Sequence, residues 1–583
     1  MFNESTFKRH TALNIFVLVV LLGFVGRLLY FQVIAAPGFR DEAKASIEVT
    51  KSIEAVRGNI VDSEGNILAT TIFTWDVNID PLNAGEVSLE INGKGKAFTK
   101  SEIADYLATI LKVPAEEILA KMTGTGRYAN LKKNATATQF TILKNLNIPW
   151  VYFDRKQTRY YPQGAVAGNL IGFVGSDGSA LAGIERTMNS CLAGTDGKET
   201  YEQGADLIKI PSSIRTITPV RDGSDVVLTI NSDLQYSAQQ EVAATVKRLN
   251  ADWASAIVIE ASTGKILAAA EAPTVDPNKP GAVREQNRAS RVFQAAFEPG
   301  SILKPVTAAT AIDVGKATPT SHVIAPDHMR MPWGQFINDA EIHAPEKLTL
   351  TGVLAQSSNT GIIQIGGKVD SKTRYEYMQK FGMGEKTGVN FEGESSGVLN
   401  SYKNWDKMTD KVVMFGQGVS MTPMQTAFIY QTFANKGVRL SPVLISGCKE
   451  RNGQLNPTAV EAPVRVISES TASKTLDMLE KVVEKGPIGR TARIFGYRVA
   501  GKTGTAQIAE GSGYGRLHAV SFVGIAPAEN PQYIVAVTAY KSRNISNSLG
   551  ATPGFVAVMK QVLKTYAVPP SATKSKNIPT GWK

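Results

Sequence analysis

Cysteine and histidine are scarce in this chain, and each scarcity excludes a class of site. The 583 residues include two cysteines and five histidines. Cys191 and Cys448 form no CxxC pair and lie in stretches that we assign to different domains, so the sequence predicts neither a metal site nor a disulfide framework. The histidines form no HExxH motif and no close pair, which disfavours a zinc hydrolase. We therefore expect no metal, and no motif indicates a cofactor.

Blocks of one charge sign are also absent. The net charge is +11 and the pI is about 9.3, a balance that would suit nucleic acid, an anionic membrane surface or an anionic wall polymer as a partner. The lysines and arginines are spread along the chain, so we favour a solvated basic surface and expect no nucleic-acid partner. With 43% hydrophobic and 20% charged residues, the chain is not disordered and is long enough for roughly three or four domains.

Only one long apolar run is present, and it lies at the N-terminus. Residues 13–34 can cross a bilayer as a helix, which takes about 20 residues, and no second run of about 18 apolar residues follows. Lys8 and Arg9 before the run favour a cytoplasmic N-terminus. A cleaved signal peptide is the alternative, but the run is longer than a usual signal core. We expect a cytoplasmic tail over residues 1–11, a transmembrane anchor over 12–34 and the rest outside the cytoplasm.

The chain beyond the anchor divides into two predicted parts. In the first, residues 57–69 predict a small hairpin, and residues 100–122 have the apolar spacing of a helix. We place an N-terminal module of the pedestal or dimerisation type over 35–225 and the main domain over 226–567. Residues 568–583 are rich in proline, lysine and serine and are predicted to be a flexible tail.

The main domain is predicted to contain strands near both of its ends. Residues 254–260 and 266–270 predict a hairpin, and mostly helical patterns fill the middle of the domain. Runs at 497–503 and 533–540 predict two more strands, which suggests a sheet that the chain leaves and rejoins.

Ser301 and Lys304 form an SxxK motif, the first of three candidate catalytic motifs. Serine needs an adjacent base to act as a nucleophile, and residues three apart share a face of a helix. The break at 298–300 predicts a helix start at Ser301, where free N–H groups stabilise negative charge. Lys304 can act as a base only if its pKa, ordinarily ~10.4, is lowered by burial and by a second cation, for which Lys502 is the candidate. Alone the motif is weak, because residues 262–265 match it within a predicted turn.

Ser357 and Asn359 form the second motif, SxN, after a run with helical spacing. The Ser357 hydroxyl could pass a proton between Lys304 and a leaving amine, and the Asn359 amide could hold a substrate carbonyl. A polar helix cap is the alternative interpretation, and residues 542–544 repeat the pattern elsewhere.

The third motif, Lys-Thr-Gly-Thr, begins at Lys502 and continues a predicted strand. Lys502 and Thr503 would bind a substrate carboxylate, and Gly504 allows a close approach of the backbone. A strand edge at this place could pair with an extended peptide. The backbone N–H groups of Ser301 and Thr505 could then form an oxyanion hole.

Residues 496–503 also satisfy the phosphate-binding loop pattern GxxxxGK[ST]. A genuine phosphate loop follows a buried strand and opens a helix. Here the residues between the glycines have the character of a strand, and residues 504–507 are a poor helix start. We therefore expect no nucleotide.

The order of the three motifs gives them weight, because together they supply a nucleophile, a base, a hydroxyl relay and a carboxylate anchor for acyl transfer. In this order the chain resembles the penicillin-binding proteins. Further resemblance to the family, and to its class B, monofunctional branch, lies at 297–301, 415–418, 422–425, 57–65, 159–162 and 183–185. The chain departs from the family at Ile302, where threonine is more usual, and in lacking a repeat domain after Tyr566.

The resemblance implies both a fold and an activity. The implied fold is a membrane-anchored multi-domain α/β (α+β) chain. An elongated β-rich N-terminal module precedes a penicillin-binding transpeptidase domain, whose central antiparallel sheet is flanked by helices as in serine β-lactamases. The implied activity is that of a peptidoglycan D,D-transpeptidase. Ser301 would attack stem peptides ending in D-Ala-D-Ala, an amine from a neighbouring strand would resolve the acyl-enzyme, and β-lactams would acylate Ser301.

Partners and cellular role are also implied by the resemblance. Residues 35–225 do not have the sequence of a glycosyltransferase, so a separate membrane glycosyltransferase and other division proteins are the expected partners. The compact N-terminal module and the sequence around Arg159 and Gly183 resemble the septal type more than the elongation type, so we expect the protein at the division septum.

Two kinds of alternative remain open from the sequence. A D,D-carboxypeptidase or β-lactamase uses the same residues with water as the acceptor. A non-catalytic scaffold of the division complex, or a β-lactam sensor, would need no nucleophile, although only a short segment precedes the predicted anchor.

Overall fold

A computed structural model describes residues 4–91, 94–204, 209–511 and 513–583. The chain forms two compact units, one of residues 1–56 and 193–223 and the other of residues 57–192 and 224–583. This division cuts across the module predicted over 35–225, because the middle of that stretch packs with the larger unit.

The helices and strands of the described residues are as follows. The helices are α1 (Glu4–Leu29), α2 (Ala36–Ile47), α3 (Lys100–Leu111), α4 (Ala115–Met122), α5 (Ala137–Asn145), α6 (Gly168–Ile171), α7 (Gly183–Thr187), α8 (Asn189–Leu192), α9 (Ser232–Leu249), α10 (Arg291–Gln294), α11 (Lys304–Asp313), α12 (Leu350–Gln356), α13 (Asn359–Gly366), α14 (Ser371–Lys380), α15 (Thr409–Val412), α16 (Pro423–Ala434), α17 (Glu469–Lys485) and α18 (Thr552–Thr565). The strands are β1 (Glu48–Ile53), β2 (Ile60–Val61), β3 (Ile67–Ile79), β4 (Val87–Ile91), β5 (Lys94–Phe98), β6 (Ala129–Ala135), β7 (Val151–Tyr160), β8 (Gly197–Glu202), β9 (Arg215–Thr218), β10 (Asp225–Leu228), β11 (Trp253–Glu260), β12 (Ile266–Ala272), β13 (His322–Ala325), β14 (His328–Arg330), β15 (Phe336–Asn338), β16 (Glu346–Thr349), β17 (Val438–Arg439), β18 (Ile445–Lys449), β19 (Leu455–Pro457), β20 (Val464–Arg465), β21 (Ala500–Glu510), β22 (Gly513–Ala526) and β23 (Tyr533–Ser542).

The smaller unit contains the apolar N-terminal helix. The stretch Phe7–Ile34 is 28 residues long with a mean hydropathy of 2.4, and none of its most apolar window is buried in the protein. A helix of this length and composition is suited to a bilayer, so an N-terminal membrane anchor agrees with the sequence prediction. The rest of the unit includes the antiparallel sheet β1-β8-β9.

The first part of the larger unit contains the predicted hairpin. Strands β2 and β3 pair antiparallel, and the long β3 also pairs with β6 and β7. The helix predicted over 100–122 is instead two helices, α3 and α4. Pro114 separates them, because proline and the residue before it resist a helix interior.

Cys191 and Cys448 form a disulfide, so the prediction against a disulfide framework is wrong for this pair. They are 257 residues apart in sequence, and their Cα atoms are 6.2 Å apart. The two cysteines lie close together because strand β10 pairs antiparallel with β18, with Val226 of β10 opposite Cys448 of β18. The Cys191 sulfur lies 3.8 Å from the carbonyl oxygens of Asp225, the first residue of β10, and of Ser224 just before it. A pairing this distant in sequence leaves no local pattern.

The five-stranded antiparallel sheet β12-β11-β23-β22-β21 is the centre of the larger unit. Successive side chains of a strand point to opposite faces. On β23, Val535 and Val537 pack in the core formed with α9 and α18, whereas Ile534 and Ala536 join the core that contains α11 and α16. Strand β22 was not predicted, and β21 lies at the end of the strand order.

Residues 568–583, predicted to be flexible, make specific contacts with the larger unit. Thr349 donates from its backbone N to Thr580 O at 3.2 Å. The Trp582 indole stacks on His322, with 4.8 Å between ring centroids, and its Nε1 donates to two backbone carbonyls. The difference arises because a proline- and lysine-rich composition does not reveal where single backbone groups and one aromatic ring find partners.

Candidate active site

Ser301 lies in a tight turn that leads directly into α11. Ser301 lies in the 3₁₀ turn Gly300–Leu303, so the helix predicted to start at Ser301 starts three residues later, at Lys304. Gly300 has a positive φ of 61°, and its backbone N donates to Gly416 O at 2.9 Å. A Cβ on Gly416 would overlap with the Gly300 backbone, so two glycines in contact hold the serine turn in place.

Lys304 is completely buried and contacts the second motif. Its Nζ donates to the carbonyl oxygen of Ser357 and lies 3.3 Å from Ser357 Oγ. Burial lowers the pKa of Lys304 to about 7, although the negative charge of Asp339 opposes that shift. A lysine in this state is neutral in a large fraction of molecules near neutral pH, as a general base must be.

Lys502, on strand β21, contacts the same serine, Ser357. It is also completely buried, and its Nζ lies 2.8 Å from Ser357 Oγ and 3.0 Å from Thr503 Oγ1. Burial and the positive charge of Lys304 both lower the pKa of Lys502. Two lysines that share one hydroxyl cannot readily both be charged, so their protonation is coupled.

Ser357 is held between the two lysines by an uncommon backbone conformation. Ser357 ends α12 with a φ of 63°, in the left-handed region of backbone conformation that residues other than glycine seldom adopt. The conformation turns the chain sharply between α12 and α13, and the Ser357 hydroxyl contacts the Nζ atoms of both lysines. Strained residues of this kind often occur at functional sites.

Strand β21 runs close to the serine turn, as the motif predicts. A Cβ on Gly504 would lie 2.7 Å from Ile302 Cγ2 and would overlap with Ser521 Oγ, so only glycine fits at this position. Thr505 O would lie 2.8 Å from a Cβ on Gly300, which makes Thr505 a neighbour of the turn that carries the candidate nucleophile. The structure therefore brings all three motifs together.

Asn359, which ends the SxN motif, is held by a segment that the sequence analysis did not identify. Its Nδ2 donates to Asn338 O at 2.7 Å, and its backbone N donates to Asp339 Oδ1 at 2.5 Å. On the other side of the site, Ser548 Oγ donates to Gly504 O at 2.8 Å. These three partners, Asn338, Asp339 and Ser548, are single polar residues outside any motif, so no sequence signal distinguishes them.

The competing motif matches lie elsewhere or have the wrong structure. Residues 262–265 form the turn between β11 and β12. In the phosphate-loop match, Gly504 and the residues after it continue as β21 to Glu510 instead of opening a helix. The expectation that this segment is not a phosphate loop thus agrees with its structure.

Comparison with known families gives two matches. Residues 254–560 match the penicillin binding protein transpeptidase domain, and residues 52–228 match the penicillin-binding protein dimerisation domain. The first match contains all three candidate motifs.

Similar proteins cover almost the whole chain. Penicillin-binding protein PbpB of Mycolicibacterium smegmatis is 34% identical over 97% of this chain and 92% of its own length. Peptidoglycan D,D-transpeptidase FtsI of Escherichia coli is 28% identical over 96% of this chain and 92% of its own.

Solved structures of two relatives are also similar to this fold. A peptidoglycan synthetase from Bifidobacterium adolescentis has a TM-score of 0.73 and 31% identity, covering 92% of this chain and all of its own (100%). Penicillin-binding protein 3 of Mycobacterium tuberculosis, complexed with ampicillin, has a TM-score of 0.70 and 28% identity, covering 91% of this chain and 100% of its own.

Proposed function

The chain belongs to the class B penicillin-binding proteins and is a peptidoglycan D,D-transpeptidase, and we propose that Ser301 is its nucleophile and the division septum its place of action. The observation that carries the assignment of the nucleophile is the convergence of Lys304 and Lys502 on Ser357 Oγ, beside the turn that holds Ser301. This arrangement supplies a candidate base, Lys304, and a hydroxyl that can relay protons, Ser357, next to the turn that carries Ser301.

In the first half-reaction Ser301 Oγ attacks the carbonyl carbon of the penultimate D-Ala. Lys304 takes the hydroxyl proton, and the backbone N–H groups of Ser301 and Thr505 stabilise the oxyanion. The Ser357 hydroxyl passes a proton to the leaving nitrogen, and D-Ala departs. The donor peptide remains as an ester on Ser301.

The coupling of the two lysines suggests how the substrate itself prepares the base. The terminal carboxylate of the donor binds beside Lys502 and Thr503, and a negative charge there raises the pKa of Lys502. A charged Lys502 then disfavours a second charge on Lys304, which becomes the neutral base. β-Lactams carry a carboxylate in a comparable place and acylate Ser301 by the same route.

The second half-reaction distinguishes a transpeptidase from a carboxypeptidase. An amine of a neighbouring stem peptide attacks the ester, gives its proton to the Lys304 and Ser357 pair, and forms the cross-link as Ser301 is released. Water at the same position would give hydrolysis.

A product ratio tests which acceptor prevails. The part of the chain after the predicted anchor, residues 35–583, is incubated with a donor peptide ending in D-Ala-D-Ala and a rising concentration of a peptide that carries a free amine. We expect the transfer product to grow at the expense of the hydrolysis product. Hydrolysis that is unaffected by the amine would assign the protein to the carboxypeptidases instead.

The cellular part of the proposal rests on the anchor and on the relatives. In this proposal the N-terminus is cytoplasmic and the catalytic domain lies outside the cytoplasm. A membrane glycosyltransferase makes the glycan strands, and other division proteins are further partners. Depletion in the source cell is expected to give filaments without septa. Rounded or swollen cells that still divide would indicate the elongation role.

A further inference from the structure

A short segment between α11 and α12 holds the SxN motif in place. Strands β14 and β15 pair as a hairpin, and Asp339 follows directly after it. The backbone N of Asp339 donates to Asp327 O at 2.8 Å, which closes the base of this hairpin. The Asp339 side chain is only 7% exposed, so its carboxylate lies inside the protein.

The Asp339 carboxylate binds the start of α13. Its Oδ1 accepts hydrogen bonds from the backbone N of Asn359 at 2.5 Å and of Thr360 at 3.0 Å. An anion at this end of a helix satisfies free N–H groups and interacts favourably with the helix dipole. Asn338, the preceding residue, accepts from the Asn359 side-chain amide. Both the backbone and the side chain of Asn359 are therefore fixed from one hairpin.

The same carboxylate contributes charge to the lysine pair. It is the negative group that opposes the lowering of the Lys304 pKa by burial. His343 faces the other oxygen of Asp339, with its Nε2 3.2 Å from Oδ2. Glu346 also acts on His343 through its negative charge. Lys502 meets Lys304 at Ser357, and at the base of the hairpin the Asp327 side chain pairs with His328.

Building on the proposed function, we propose that Asp339 is a positioning residue for acyl transfer. Its carboxylate fixes Asn359 against the substrate carbonyl and supplies the negative charge that balances the lysine pair around Ser357. In this role Asp339 acts through Asn359, which it binds, and through Lys304, on which its charge acts.

Two substitutions separate the two parts of this role. Asp339→Asn keeps an oxygen that accepts from Asn359 and Thr360 but removes the charge. Loss of that charge lowers the Lys304 pKa, so the fall of acylation at low pH is expected to move about 0.5–1 pH unit lower. Asp339→Ala also removes the acceptor, and acylation at its pH plateau is expected to fall about tenfold to a hundredfold.

The measurement is the rate constant of Ser301 acylation by benzylpenicillin between pH 5 and 9, on the full chain in detergent. His343 also titrates in this range, because its hydrogen bonds to Ala344 O and Asp339 raise its pKa. The shift is therefore measured again in a His343→Gln background, where it is expected to persist. Asp327→Asn is the matched control on the same hairpin and is expected to stay within twofold of wild type.

The outcomes are distinct. A profile of Asp339→Asn that superimposes on wild type, with a folded Asp339→Ala at wild-type rate, overturns the positioning role and leaves the proposed function intact. If Asp339→Ala does not fold, the Asp339→Asn profile alone decides. Absence of acylation in wild type overturns the proposed function and this role together.

Discussion

Ser301→Ala is expected to abolish formation of a covalent β-lactam adduct. The alanine has no oxygen to form the ester, and neither Lys304 nor Ser357 can replace it without a rearrangement of the turn and helix that position them. Acylation should fall by at least about a thousandfold. Intact mass after incubation with benzylpenicillin should show one drug-sized adduct on wild type and none on the variant.

The matched control is Ser262→Ala, which removes the serine of the other SxxK match. That residue lies in the turn between β11 and β12, so the adduct should form as in wild type. An adduct that persists on Ser301→Ala would assign the nucleophile elsewhere. In a depletion strain, rescue by Ser301→Ala would instead favour the scaffold alternative, because a scaffold needs no nucleophile.

Spacing and order in the sequence were enough to predict which motifs meet. Residues three apart on a helix face one way, which led us to expect Lys304 near Ser301, and the structure has Ser301 in the turn that leads into α11 at Lys304. One glycine in the third motif predicted the close approach of β21 to this turn. Such inferences depend on local geometry. The left-handed conformation of Ser357 depends instead on packing at the junction of α12 and α13, and no residue type in the sequence predicted it.

Three features that the sequence did not predict join parts of the chain that are distant from each other. The disulfide depends on the pairing of β10 with β18, and Asp339 reaches Asn359 only because a hairpin folds over α13. The contacts of Trp582 with His322 depend in the same way on where the tail runs. Hydrophobic periodicity and turn residues report on neighbours in sequence, so none of these contacts leaves a pattern that could be recognised.

The acylation rate of the wild-type protein is expected to depend steeply on pH, with a midpoint at a pH of about 7. Burial lowers the Lys304 pKa to about 7, and only the neutral amine can accept the Ser301 proton. The rate should therefore be highest above this pH and should fall about tenfold for each pH unit below it. Stopped-flow measurement of acylation by a chromogenic β-lactam gives this profile directly.

Two substitutions of Lys304 distinguish a base from a simple positive charge. Lys304→Gln removes the amine, and Lys304→Arg keeps a cation that cannot lose its proton. If Lys304 is the base, both should reduce acylation by about a hundredfold to ten-thousandfold. If it only supplies charge, the arginine variant should retain most of the rate.

The control for the lysine series is Lys316→Gln, which changes an exposed lysine just beyond α11 and should leave both rate and profile unchanged. Thermal unfolding of each variant shows whether the buried site still folds, because arginine is larger than the lysine it replaces. The wild-type profile needs no variant and decides independently. A rate that is flat from pH 5.5 to 8 would mean that Lys304 does not change its protonation state in this range, which would contradict the expected titration, and the Lys304→Arg result would then decide whether Lys304 is the base.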